Sequence, residues 1–350
     1  MFTITLLVCV LLIAIGNYFF TGWFVRYAKV RRMTDIPTER SSHKVPTPKG
    51  GGIGFVLFSI IALSIYLAVN GTLFTKPLLV FLIASVIIAS LGWFDDKHDL
   101  SKRIRFGVQL LTALMIIIMV TNLDSVYLPI VGLVDLGIAG GFLALIWITG
   151  STNIYNFMDG VDGIASMQAI GVCIGWMVFA YIWNVPELFY LNSFLLAAIC
   201  GFLFYNWPPA KIFMGDVGSI YLGFVFGAMP FMAAKLSSGV SIGMTIWVSA
   251  FLLWPFLFDG SYTIFRRLSN EENIFEAHRS HLYQRLNIEG WGHKGISILY
   301  MLFSLICIVF SVAFYLSSAW IQVIIFITLV LLSVFYVVFV KKTELANNKL

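Results

Sequence analysis

Four polar side chains recur at three-residue intervals between two apolar stretches: Asn153, Asn156, Asp159 and Asp162, with Gly160 and Gly163 beside the carboxylates. On a helix, residues three apart share a face, so one stripe could present two carboxamides and two carboxylates to a single ligand. Carboxylates are costly near hydrocarbon unless something pairs with them, and glycine lets the backbone turn sharply and approach a ligand. Such a set suits a hard divalent cation and a phosphorylated compound. The same residue types also build ordinary helix-capping turns, so the motif by itself leaves both readings open.

Four further constellations carry similar chemistry. Asp95-Asp96-Lys97-His98-Asp99 directly follows Gly92-Trp93-Phe94. Adjacent carboxylates repel unless water, a cation or a basic residue neutralises them. A bridging Mg²⁺ would do so; alternatively one aspartate is a general base, or the pair is a solvated turn beside Lys102, Arg103 and Arg105. The stretch from Ser41 to Gly52 holds His43, Lys44, Lys49, two prolines and three glycines. Its amides and lysines suit an anionic ligand or, equally, lipid headgroups. Asn206-Trp207-Pro208-Pro209 leads to Gly215-Asp216-Val217-Gly218-Ser219, where Asp216 is a helix N-cap or a metal ligand. Glu276 to Leu286 carries His278, Arg279, His281 and Arg285. This segment reads as an amphipathic helix whose Arg and His groups bind phosphate, or one that lies on headgroups.

The elements that position these groups are membrane spans. The 350 residues are 60% apolar and 11% charged, with a mean hydropathy of +0.93. Soluble domains carry roughly 25% charged residues. Apolar runs of bilayer length occur at about 2–24, 51–70, 77–94, 106–122, 128–150, 165–183, 188–206, 217–234, 239–258, 295–315 and 319–340, which predicts an all-α protein with about 11 transmembrane helices. The first run lacks a basic leader and is long, so it reads as a retained span. Alternate assignment puts 25–50, 95–105, 151–164, 207–216, 259–294 and the tail from Lys341 on one side. Of the 22 Lys and Arg residues, only Lys76 and Lys235 fall on the other side. The basic side is therefore cytoplasmic, the N-terminus outside and the C-terminus inside. All five histidines lie on that face, as do all acidic residues except Asp124, Asp135 and Glu187. The chain reads as one transmembrane domain over 1–350 whose cytoplasmic loops form an active site. Cys9, Cys173, Cys200 and Cys307 lie in apolar runs and read as packing residues. A transporter or flippase is the alternative; it calls for polar groups near the midplane and repeated halves, which this pattern lacks.

The five blocks, in this order and on this face, resemble the polyprenyl-phosphate N-acetylhexosamine-1-phosphate transferase superfamily over residues 41 to 286. The resemblance implies a transferase of the bacterial cytoplasmic membrane that moves a sugar 1-phosphate from a UDP-N-acetylhexosamine to undecaprenyl phosphate, releasing UMP. It implies Mg²⁺ as cofactor, with Mn²⁺ as a substitute, contact with membrane lipid and a homodimer, and no nucleic-acid partner. Asp95 and Asp96 match the family's aspartate pair, and Asn153, Asn156, Asp159 and Asp162 match its Asn/Asp stretch. Asp216 matches the aspartate that resembles the main Mg²⁺ ligand, and His278 and His281 match the cytoplasmic histidine motif. On this basis Asp216 and one of Asp95 or Asp96 hold the metal, and the other aspartate of the pair orders or deprotonates the lipid phosphate. Lys49, His278, Arg279 and His281 meet phosphates; Asn153 and Asn156 bind substrate; and Asn206, Asp162 and the Gly163 backbone meet uridine and sugar. The muramyl-pentapeptide branch has three consecutive histidines and a lysine where this chain has Asp99. These departures resemble the branch that initiates O-antigen and related surface polysaccharides.

Overall fold

The computed structural model describes residues 4–37, 45–273 and 278–347; Ser41 to Lys44, Glu276 and Ala277 of the motifs above lie outside them. In chain order the helices are α1 (Ile4–Val30), α2 (Gly52–Val69), α3 (Lys76–His98), α4 (Lys102–Met119), α5 (Ile138–Phe157), α6 (Ile164–Ile182), α7 (Pro186–Asn206), α8 (Asp216–Leu236), α9 (Ile242–Ser269), α10 (Leu282–Ile288), α11 (His293–Leu316) and α12 (Ala319–Asn347). Among the described residues, ten helices are long and apolar enough to cross a membrane. A helix stands at each of the eleven predicted places; the one outside the ten is α4, whose first turn carries Lys102, Arg103 and Arg105.

Four boundaries that bear on the site differ from the sequence expectation. The fifth span begins at Ile138, because Ser125–Leu128 (β3) and Gly132–Asp135 (β4) form an antiparallel hairpin instead. Gly132 at φ +90° and Gly137 at φ +51° supply backbone that a helix does not accept. The same helix runs on to Phe157, so Asn153 and Asn156 are helical. The ninth helix continues eleven residues past 258 to Ser269, closing on Arg266 and Arg267, cations that favour a helix C-terminus. Finally, α3 carries Asp95 and Asp96 in its last turns rather than in a loop.

The centre of the bundle is α8, buried from Val217 to Ala233 and flanked by α3, α5, α2 and α9. Close approach at its N-terminus depends on glycine. A Cβ at Gly92 of α3 would stand 2.5 Å from the Asp216 carbonyl oxygen and 2.6 Å from Val217 Cα. This contact puts the end of α3 directly against the start of α8. The strands Thr34–Asp35 (β1) and Thr47–Pro48 (β2) pair antiparallel. Main-chain bonds then stitch the second strand to the loop before α8: Phe213 N to Pro48 O at 2.8 Å, Gly51 N to Phe213 O at 3.0 Å and Gly52 N to Met214 O at 2.8 Å.

Candidate active site

A cavity of about 350 Å³ opens where these ends meet. The lining comes from four separate stretches of chain: Asp35 and Lys49; Asp96; Asn156 to Asp162; and Asn206 with Phe213 to Ser219. Gln284 of α10 and His293 of α11 complete it. Five of the lining residues are aspartates, against Lys49 and His293 as the basic groups.

The two adjacent aspartates of α3 have different surroundings. Asp95 is not among the lining residues but stands beside Asp216, accepting from Leu100 N at 2.8 Å and from Arg105 Nη1, shared with Asp216, at 2.7 Å. Asp96 lines the cavity and caps the central helix, taking Asp216 N at 3.1 Å and Val217 N at 3.0 Å, one on each carboxylate oxygen. A carboxylate at a helix N-terminus satisfies orphan amides and complements the positive end of the dipole. Here it comes from a neighbouring helix, and Asp216 itself makes no side-chain cap. Gly215, at φ +75°, makes room, since a Cβ there would meet Asp96 Oδ2 at 2.6 Å. Asp216 is thereby released to face the cavity. Asn156 Nδ2 donates to its Oδ1 at 2.6 Å and to Ser219 Oγ at 2.8 Å, while Arg105 Nη1 stands 3.9 Å from its Oδ2.

The expected single stripe of amides and carboxylates does not form, because α5 stops at Phe157. Asn153 faces α4, donating to Gln109 Oε1 at 2.7 Å, and stands outside the cavity lining. Asp159 follows the helix, its amide donating to Asn156 O at 3.2 Å, and its carboxylate has no hydrogen bond or ion pair among the described residues. Burial, then the charges of Asp216, Asp162 and Asp96, push its carboxyl up to about 7. Asp162 is held by Ala210 N at 3.0 Å and faces His293 Nδ1 at 3.2 Å. Asn206 bridges Ser166 Oγ at 2.9 Å and Ile212 O at 3.1 Å, holding the proline loop in place beside the cavity.

The histidine motif lies elsewhere. Residues 278–281 are not helical, and the short α10 starts only at Leu282, with His281 as its N-cap. His278, Arg279 and His281 are not among the lining residues. Burial, with the charges of His281 and Arg267, lowers His278 to about 4, so it carries no charge near neutrality. His281 is buried against Asp259, its Nδ1 3.3 Å from Oδ1. Asp259 also accepts from Leu282 N at 2.9 Å, Tyr283 N at 3.2 Å, Thr263 Oγ1 at 3.2 Å and Tyr300 Oη. The motif therefore anchors α10, from which Tyr283 Oη donates to Phe157 O at 3.2 Å and Gln284 lines the cavity.

The donor set fits a hard cation that is shared with a ligand. Among the described residues no three Asp, Glu, His or Cys side chains converge closely enough to hold a metal by themselves. Magnesium, however, binds through one or two carboxylates and completes its shell with water and phosphate oxygens. Asp216, Asp96 and Asp159, beside the Asn156 amide, offer that arrangement, and the raised Asp159 carboxyl marks a cluster short of positive charge. Asp35 and His293 belong to the site and lie outside the five motifs; their one sequence signal is position on the basic face. Ser219 and Gln284 fall within the fourth and fifth motifs, where the sequence reading does not single them out as site residues.

Comparison with known proteins gives a consistent picture. Residues 78–234 match the family described as Glycosyl transferase family 4. The chain is 32% identical over 322 residues to a probable undecaprenyl-phosphate N-acetylglucosaminyl 1-phosphate transferase of Bacillus subtilis, covering 90% of this chain and 86% of that one. It is 31% identical to a decaprenyl-phosphate N-acetylglucosaminephosphotransferase of Mycolicibacterium smegmatis, covering 80% and 75%. A phospho-N-acetylmuramoyl-pentapeptide-transferase of Chlamydia muridarum is 34% identical over 208 residues, or 53% of this chain and 61% of its own.

Proposed function

Given that the chain belongs to Glycosyl transferase family 4, within the polyprenyl-phosphate N-acetylhexosamine-1-phosphate transferase superfamily, we propose that it moves N-acetylglucosamine 1-phosphate from UDP-N-acetylglucosamine to undecaprenyl phosphate. UMP leaves, and the lipid-linked sugar pyrophosphate starts a cell-surface polysaccharide such as an O-antigen, on the cytoplasmic face of the membrane. The named activities of the Bacillus and Mycolicibacterium relatives support the acceptor class and the sugar. The observation that carries the reading is the cavity itself, five aspartates converging from distant parts of the chain with Asp159 held up at about 7.

Donor and acceptor are both anionic, so the reaction needs charge neutralisation and alignment more than covalent assistance. Magnesium, held by Asp216 with Asp96 or Asp159, would supply charge to the donor diphosphate. An oxygen of the lipid phosphate attacks the phosphorus bound to the sugar, and the bond from that phosphorus to the bridging oxygen breaks, so the electron pair departs with UMP. Lys49 lines the acidic end of the cavity, where its charge can meet a phosphate. Asn156 fixes the rotamer of Asp216 through its bond to Oδ1. Arg105 keeps Asp95 in place, which leaves Asp96 as the member of the pair that contacts substrate.

The deciding experiment uses the purified full chain with undecaprenyl phosphate, Mg²⁺ and UDP-GlcNAc, UDP-FucNAc or UDP-QuiNAc in parallel. The expected result is a lipid-linked product and stoichiometric UMP with UDP-GlcNAc. A preference for either 6-deoxy donor would overturn the sugar assignment, and no product with any donor would overturn the reading.

A further inference from the structure

His293 begins α11, outside the five motifs above, and its ring lines the cavity. Nδ1 accepts from the Asp162 amide at 3.3 Å, which leaves the ring hydrogen on Nε2, and it lies 3.2 Å from Asp162 Oδ2. Asp162 is in turn held by Ala210 N at 3.0 Å, and Ser297 Oγ, one turn along α11, donates to its carbonyl at 2.8 Å. The ring is therefore oriented by a built arrangement that ties α11 to both the Asp159 turn and the proline loop. Nε2 has no partner among the described residues. An imidazole fixed through one nitrogen presents the other in a defined role to whatever occupies the cavity.

What that occupant offers follows from the balance of charge. Against five lining aspartates, Lys49 and His293 are the only basic lining groups among the described residues. Lys49 belongs with Asp96 at the α8 end, and His293 belongs with Asp162. A nucleoside diphosphate entering the cavity thus meets one nitrogen donor from each of these two groups. We propose that His293, oriented by Asp162, hydrogen-bonds through Nε2 to a phosphoryl oxygen of the nucleoside diphosphate portion of the donor and so positions the leaving nucleotide. The inference rests on the transferase reading for its ligand class. It goes beyond that reading in assigning a donor contact outside all five motifs.

The test uses the purified full chain and UDP itself as probe, so that binding is measured apart from turnover. Asparagine places its amide where Nδ1 stands, keeping the bond to Asp162 but removing Nε2; glutamine reaches toward the Nε2 position. His293→Asn should raise the UDP Kd about tenfold, as expected for loss of one charge-assisted hydrogen bond. The KM for UDP-GlcNAc should rise with it, while the KM for undecaprenyl phosphate and the melting temperature stay unchanged. His293→Gln should recover part of the UDP affinity. An unchanged UDP Kd in His293→Asn overturns the assignment. So does an equal loss in both variants accompanied by a lowered melting temperature, which marks a purely structural role. A wild-type protein that binds UDP through His293 but forms no lipid-linked product would instead count against the transferase reading and leave the contact standing.

Discussion

Two carboxylate sites lie within this one bundle, one buried and one half-buried, and they are built in opposite ways. Around Asp259 the carboxylate is saturated: two main-chain amides, a histidine, a tyrosine and a threonine converge on it. Around Asp159 the side-chain donors are missing, and burial, with three other aspartates beside it, raises its carboxyl to about 7. A buried charge that is fully hydrogen-bonded holds structure together, whereas one short of partners stores unfavourable energy that a ligand can relieve. The difference separates the anchor of α10 from the cavity floor, although both are aspartates on the same face of the bundle.

Substitutions can break or sharpen that contrast. The largest effect is expected in the cavity: Asp216→Asn should lower transfer by about 10³-fold, the scale of removing a main electrostatic contact to the reacting phosphates. Its melting temperature should hold, and near-normal UMP release would remove Asp216 from the site. At the anchor the effect should fall on stability. Asp259→Asn strands at least one of the amides of Leu282 and Tyr283 and breaks the pair with His281, at a cost of about 3 kcal/mol. Thermal unfolding in detergent measures it, and a melting temperature equal to wild type would show that the saturated site is not an anchor.

Asp159→Asn should move stability the other way. Removing a charge that lacks partners should stabilise the ligand-free protein by about 1 kcal/mol while abolishing transfer, the trade expected of a functional site. The pH dependence gives the same contrast a sign. Asp159 titrates near 7 when folded and at its ordinary 3.8 when unfolded, so between those values the folded state holds more protons. Its contribution to stability is complete below 3.8 and is lost as pH rises through about 7. The ligand-free wild type should therefore lose stability across that window relative to Asp159→Asn. Parallel pH profiles for the two proteins would show that Asp159 is not the strained group.

Much of the architecture was legible in the chain because hydrocarbon imposes a simple rule: backbone crossing it forms helices of bilayer length. Every predicted span has a helix at its place, including α4 with its three cations. The boundaries moved where polar residues extend a helix, as at Asp95 and Asp96 in α3 and beyond Asp259 in α9. Of the motif residues, Lys49, Asp96, Asn156, Asp159, Asp162, Asn206 and Asp216 meet at the cavity. Asp95, Asn153, His278, Arg279 and His281 do not line it. Spacing alone cannot make this division. Asn153 and Asn156 share a helix, yet one bonds Gln109 on α4 and the other Asp216 on α8.

The sequence by itself determined that this protein is a bundle of membrane helices, and grouped its ionisable residues between the same helix ends, because apolar length and polar interruption are local properties of a chain. Only the tertiary structure decided which carboxylates are satisfied and which are exposed to a ligand. That depends on donors supplied by distant segments: the α8 amides on Asp96, Arg105 on Asp95, the α10 amides on Asp259, and His293 beside Asp162. Partners so far apart in sequence leave no periodic trace, and it is the packing of α3 against α8 at Gly92 that brings the first of them together.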